Sequence, residues 1–193
     1  MDTNLPNLLT LSRIAVIPLI VAAFYLPVPA NGWTTFGLFA YAAVTDYFDG
    51  MLARRRQQTS DFGRFLDPIA DKLLVAAVLL MMVATGTLAG GAVIAALLIL
   101  LREILVSGLR EFLAGKHVDV AVSRLAKWKT GVQLVAIGLL LLTDVIPQAD
   151  TIGTALLWVA AAITVYTGYD YLRGGLAHMR PDRPHRNAKA DSP

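Results

Sequence analysis

The sequence predicts an all-α, polytopic membrane protein with six transmembrane helices and both termini on the cytoplasmic side. Three observations lead there. First, 56% of the 193 residues are hydrophobic and only 16% are charged, with a mean hydropathy of +0.59, too apolar for an ordinary soluble domain of this length. Second, predominantly apolar stretches cover residues 8–26, 33–54, 62–86, 89–113, 121–143 and 151–173; about 20 helical residues suffice to cross a hydrocarbon core ~30 Å thick. Third, the seventeen Lys and Arg residues are unevenly shared between the connections. Arg54, Arg55, Arg56 and Arg64 belong to the second connection, and Arg102, Arg110, Lys116, Arg124, Lys127 and Lys129 lie in or beside the fourth. Arg173, Arg180, Arg183, Arg186 and Lys189 follow the last span, and Arg13 and Lys72 lie inside spans, leaving the first, third and fifth connections without a cation. Basic residues are retained on the cytoplasmic side, so the even connections and both ends belong there, which requires an even number of crossings.

Composition also excludes several classes. With no cysteine, disulfides and thiolate metal sites are ruled out. His117, His178 and His185 are scattered through polar segments and are assigned no metal. The basic residues are juxtamembrane and form no soluble surface with aromatic platforms, which argues against nucleic acid as a partner.

The first span begins with Asn4, Asn7, Thr10 and Ser12 among apolar residues, and Pro6 suits a first helical turn, where its missing N–H is not needed. The start lacks the basic region of a secretory signal, so this helix is expected to be retained. Arg13 either snorkels to the interface or contacts an anion. Pro18 is expected to kink the helix, and PVPANGW to close it as an uncharged external turn. The second span, from Trp33, ends in an acidic face: Asp46 and Asp49 are three apart, and Ala53 and Arg54 stand one turn further on. The polar run RRRQQTSD makes the next connection, with Thr59, Ser60 or Asp61 as N-cap.

In the third span Gly63, Asp67 and Asp71 repeat every four residues and form one stripe. Asp67 before Pro68 could also serve as an N-cap pair, which would account for one carboxylate and not four. The segment GTLAG is read as a turn, although its small-xxx-small form also occurs in packed helices. The fourth span carries Arg102, Glu103, Arg110 and Glu111 near its cytoplasmic end. Arg102 and Arg110 are two turns apart on one side, and Arg102 with Glu103 could equally be an internal ion pair. Lys127, Trp128 and Lys129 open the fifth span, either as interfacial anchors or, for Lys127, as a substrate contact. The fifth and sixth spans read as scaffold around the external, acidic TDVIPQAD. Residues 1–175 are expected to form one membrane catalytic domain, and 176–193 a polar, disordered cytoplasmic tail able to meet anionic lipid.

The stretch from Asp46 to Asp71 organises the rest. An isolated charge at membrane depth costs at least ~2.5–3.5 kcal/mol on insertion scales, so four carboxylates there need a compensating partner. In full the stretch reads Asp46-x-x-Asp49-Gly50-x-x-Ala53-Arg54, eight residues, then Gly63-x-x-x-Asp67-x-x-x-Asp71. This pattern resembles the signature of the CDP-alcohol phosphotransferases without a departure. The chemistry agrees, because hard cations prefer carboxylate oxygens, and two helices with two carboxylates each can hold a pair of ions about 3.5–4 Å apart. Gly50, Ala53 and Gly63 remove bulk where a nucleotide would approach the backbone, and Arg54 can neutralise phosphate.

The resemblance implies a six-helix membrane enzyme and a homodimer; the charge distribution puts its site on the cytoplasmic side, and a bacterial cytoplasmic membrane is the expected location. It implies two divalent cations, Mg²⁺ or Mn²⁺, on Asp46, Asp49, Asp67 and Asp71, with Asp71 also the general base. Asn7, Gly50, Ala53, Arg54 and Gly63 would bind the CDP-lipid. The donor would be CDP-diacylglycerol, attacked by an acceptor hydroxyl with loss of CMP. The segments LREILVSGLREF and RLAKWKT are similar to those of the branch that uses sn-glycerol 3-phosphate, with Arg102, Arg110 and Lys127 meeting the acceptor's phosphate. Inositol phosphate or serine as acceptor is the alternative within the family. A small cation transporter is the alternative outside it, but that would spread acidic residues through the depth of several spans.

Overall fold

The computed structural model describes residues 5–56, 61–115 and 124–179, with side chains described except at 5–9, 47–56, 61–65, 67, 124, 126–127 and 176–179. The described residues form six helices and no strand: α1 (Leu5–Ala23), α2 (Ala30–Arg56), α3 (Asp61–Ala84), α4 (Gly91–Ala114), α5 (Arg124–Leu141) and α6 (Ala149–Met179). Each corresponds to one expected span, but the ends differ. The second helix continues past residue 54 to Arg56, because Met, Leu, Ala and Arg are good helix formers even where the apolar character has stopped. The sixth runs past residue 173 to Met179, into the segment assigned to a disordered tail from 176.

The helices associate as two groups of three. In the first, α1 lies against both α2 and α3; in the second, α6 lies against both α4 and α5. The groups meet along α2 with α5 and α3 with α4. On α1 the buried residues Thr10, Arg13, Val16, Ile20 and Ala23 recur at three- and four-residue intervals and make one inward stripe. Pro18 lies inside this helix, where it removes one backbone hydrogen bond. On α3 the stripe is Ala70, Leu74, Val78 and Met82, and on α4 it is Ala92, Ala95, Ala96 and Ile99.

The α3–α4 connection is the turn expected at GTLAG. Gly86 and Gly90 adopt φ of 79° and 54°, which side chains other than glycine's rarely accept, and the Leu88 amide donates to the Met82 carbonyl at 2.9 Å. Between α5 and α6, Gly153 lets the helices approach closely, since a Cβ there would stand 2.8 Å from Leu140 Cγ. Two described helices, Gly91–Ala114 and Ala149–Gly175, are long and apolar enough to cross a membrane.

Candidate active site

The described charged residues of α1, α2 and α3, namely Arg13, Asp46, Asp71 and Lys72, form one electrostatic cluster. Arg13, on the inward stripe of α1, is 1% exposed, and its Nη1 donates to Asp46 Oδ1 on α2 in an ion pair. Asp46 itself is half-exposed. Asp71, one turn after Asp67 on α3, lines a cavity of about 230 Å³ between α3, α4 and α5. Lys72 also lines it, with its Nζ donating to the Pro68 carbonyl at 2.6 Å. The charges of Asp46, Glu103, Lys72 and Arg13 all act electrostatically on Asp71, so both helix groups contribute to its field.

Across the cavity the second group contributes a buried ionic chain. Lys129 of α5 is 4% exposed and donates to Glu103 Oε1 of α4. Arg102 Nη1 lies 3.5 Å from the same oxygen, and its Nη2 donates to Thr167 Oγ1 of α6 at 3.1 Å. Gly168 makes room for this arginine, because a Cβ there would stand 2.7 Å from Arg102 Cγ. The chain therefore ties α4, α5 and α6 together while presenting Glu103 to the cavity.

The expected site residues are distributed as follows. Asp46 and Asp71 belong to the same electrostatic cluster. Asn7 lies on α1, Asp49, Gly50, Ala53 and Arg54 on α2, Gly63 and Asp67 on α3 and Lys127 on α5; their side chains lie outside those described. Arg102 and Arg110 do not line the cavity. Arg102 is turned towards Thr167, and Arg110 is exposed, with its guanidinium carbon 6.0 Å from the centre of the Tyr171 ring. The ion-pair reading of Arg102 with Glu103 and the anion reading of Arg13 are the ones the geometry favours.

Sequence reading did not identify Lys72, Lys129 or Gln133 as part of this region. The available signal was that each is a polar side chain inside an apolar stretch, which calls for a partner within the bundle. A larger groove of about 540 Å³ between α4 and α6 is lined by apolar and tyrosine side chains, Leu98, Trp158, Val165, Tyr166 and Tyr169 among them, and holds none of the aspartates.

Among the described residues no three His, Asp or Glu side chains gather as a ligand cluster. Asp46 and Asp71 nevertheless suit a hard divalent cation: both offer only carboxylate oxygens, and the charge of Asp46 acts on Asp71, a repulsion that a cation would relieve.

A sequence profile of the CDP-alcohol phosphatidyltransferase family matches residues 3–166, which include all four aspartates and the ionic chain as far as Lys129. The chain belongs to this family. Relatives named CDP-diacylglycerol–glycerol-3-phosphate 3-phosphatidyltransferase resemble it along most of their length. The one from Rickettsia bellii is 47% identical over 175 residues, covering 89% of this chain and 95% of the relative. That from Shigella flexneri is 42% identical over 181 residues (93% and 98%), and that from Cereibacter sphaeroides 37% over 221 residues (95% and 100%). Among solved structures, the apo phosphatidylinositol phosphate synthase of Mycobacterium tuberculosis has the same fold, with a TM-score of 0.56, 20% identity and coverage of 87% of this chain and 85% of that one. Membership in this family, with two membrane-length apolar helices, makes the chain a membrane-associated phosphatidyltransferase.

Proposed function

We propose that this phosphatidyltransferase moves the phosphatidyl group of CDP-diacylglycerol to sn-glycerol 3-phosphate, giving phosphatidylglycerophosphate and CMP. The observation that carries the reading is the unbroken Asp46–Asp71 pattern in a chain whose relatives, 37–47% identical almost end to end, bear the name of this reaction.

The C1 hydroxyl of the acceptor attacks the phosphorus nearer the diacylglycerol. A new P–O bond forms as the anhydride bond to CMP breaks; the hydroxyl proton passes to Asp71, and the bonding electrons leave on the CMP phosphate. Asp71 suits this task because its carboxylate lines an open cavity, and a base must come within hydrogen-bond reach of the hydroxyl. Arg13 fixes the orientation of Asp46 from the neighbouring helix. Two divalent cations, Mg²⁺ or Mn²⁺, held by Asp46, Asp49, Asp67 and Asp71, would supply charge neutralisation for the diphosphate. Asn7, Gly50, Ala53, Arg54 and Gly63 bind the CDP-lipid in this reading. Arg102, Arg110 and Lys127 supply positive charge for the acceptor phosphate, with Arg102 anchored by Thr167.

All six helices cross the membrane in this arrangement, with both termini and the aspartates on the cytoplasmic side of a bacterial inner membrane. Residues 1–175 form the catalytic domain, followed by a polar tail, and the enzyme works as a homodimer. The test is CMP release by purified protein given CDP-diacylglycerol with sn-glycerol 3-phosphate, inositol phosphate, inositol or serine in turn. Glycerol 3-phosphate should drive release best; faster release with any of the others would overturn the assignment of the acceptor.

A further inference from the structure

We infer that the groove between α4 and α6 seats an acyl chain of an anionic glycerophospholipid from the surrounding membrane, with the phosphate of that lipid beside Tyr169 and Arg173. The groove holds none of the aspartates, so this lipid is a bound ligand and not the donor.

The groove, of about 540 Å³, follows one side of α6. Ala161 and Ala162 contribute small side chains to it, while Trp158, Tyr166 and Tyr169 contribute large ones, all three exposed. Leu98 of α4 belongs to the same lining. A Cβ on Gly91 would stand 3.8 Å from Trp158 Cζ2, so the indole reaches the first residue of α4 and closes that end of the groove. An apolar hollow forfeits dispersion contacts unless apolar atoms fill it. In a bilayer those atoms belong to acyl chains.

The depth of the groove fits one such chain. Asp150 and Asp170 bracket the uncharged residues 151–169 of α6, about 28 Å of helical rise, which matches a hydrocarbon core ~30 Å thick. Trp158 falls near the middle of that run and Tyr169 at its edge. Tryptophan is enriched at the membrane interfaces, yet Trp158 is exposed at mid-depth, where a lipid chain reaches it and a headgroup does not. From Trp158 to Tyr169 the helix rises about 16 Å, close to the ~15 Å of one leaflet.

Arg173 adds a charge beyond the tyrosine end. It follows Tyr169 by about 6 Å along the axis and about 40° round it, and its side chain is exposed. Asp170, also exposed, is turned about 100° from Tyr169 and so lies off the line of the groove. A phenol O–H and a guanidinium both donate, which suits the oxygens of a phosphate. On the proposed function, the product is itself an anionic glycerophospholipid, so occupancy of the groove would rise with the enzyme's own output.

The test uses Trp158 as the reporter. The chain has three tryptophans, and Trp33→Phe combined with Trp128→Phe leaves Trp158 as the one emitter. This protein is placed, without substrates, in mixed vesicles of phosphatidylcholine and phosphatidylglycerol in which one lipid or the other carries brominated chains. Quenching of Trp158 by each gives the relative affinity of the groove for the two lipids. Phosphatidylglycerol should be preferred by about fivefold, the ratio that corresponds to the ~1 kcal/mol contributed by one basic residue at the surface. Arg173→Gln should bring the ratio to about one while quenching by brominated phosphatidylcholine is retained. Ala162→Phe, which fills the groove from an exposed position, should also bring the ratio to about one.

A ratio near one with Arg173 and Ala162 in place overturns the inference whether or not either variant folds. So does an unchanged ratio in either variant when its thermal unfolding is native-like: the first would remove the charge, the second the groove. Absence of quenching by both brominated lipids would mean that a second copy of the chain covers this face, and overturns it too. Because no substrate is present, a wrong assignment of the acceptor leaves the ratio unchanged and is told apart by the CMP-release comparison.

Discussion

At the scale of single residues, the site is an exercise in placing charge where water is scarce. Among the described residues, Asp71 is the acid of the Asp46–Asp71 pattern that lines the cavity between α3, α4 and α5. Asp71→Asn keeps the shape and removes the proton acceptor, so turnover should fall by about 10²–10⁴-fold, the usual worth of a positioned base, with CDP-diacylglycerol binding retained. Single-turnover CMP release and donor binding on the same preparation check this; near-native turnover would remove Asp71 as base. Arg13 illustrates what the sequence could not convey. A lone arginine in an apolar helix announced that it needed a partner, but its partner lies 33 residues away on another helix, and only packing chooses among the available carboxylates. Arg13→Met leaves Asp46 without its cation. Because Asp46 is half-exposed, the stability loss should be about 1–3 kcal/mol, below the ~3–5 kcal/mol seen when a fully buried pair is broken. A lower thermal midpoint, together with slower turnover, is the expected result.

At the scale of helices, legibility divides between what lies along one element and what lies between elements. The i, i+3 and i, i+4 spacings set Asp46 with Asp49 and Asp67 with Asp71 on their helix faces from sequence alone, and the Gly86 and Gly90 turn was legible for the same local reason. Spacing also put Arg102 and Arg110 on one side of α4, yet α6 separates their fates: Thr167 captures the first and Tyr171 faces the second. That depended on the register between two helices, which no single-helix periodicity encodes. The Lys129–Glu103 pair joining α5 to α4 belongs to the same class. Arg102 and Glu103 stand near the middle of the 24-residue α4, about 17 Å of helical rise from either end, so an orphaned charge there has no easy route to water. Glu103→Met, which leaves the buried Lys129 and Arg102 without their shared carboxylate, should therefore lower stability by about 3–5 kcal/mol, whereas Lys129→Met, which leaves Glu103 paired with Arg102, should cost clearly less. Thermal unfolding in detergent of the two single variants measures the difference; equal destabilisation in both would show that Arg102 does not share the carboxylate.

At the scale of the whole molecule, two three-helix groups enclose the site, the first contributing Arg13, Asp46, Asp71 and Lys72 and the second Glu103, Lys129 and Gln133. This division gives the proposed orientation a physical basis. Arg54–Arg56 and Lys116 follow the second and fourth apolar stretches with basic charge, whereas the turns at residues 24–29 and 85–90 carry no charge at all. Holding the basic ends on the cytoplasmic side forces those two uncharged turns to the outside. Because the chain contains no cysteine, single cysteines report sidedness without background. Leu26→Cys and Ala89→Cys, both at exposed positions in those turns, should react with a membrane-impermeant maleimide in intact cells. Gly115→Cys, exposed at the end of α4, should react only after the membrane is opened. Labelling of Gly115→Cys in intact cells, with protection of the other two, would invert the orientation and put the aspartates on the side opposite to cytoplasmic glycerol 3-phosphate. Labelling of Leu26→Cys and Gly115→Cys together would instead mean that an odd number of crossings separates residue 26 from residue 115 only in part of the population, or that the helices between them do not all span.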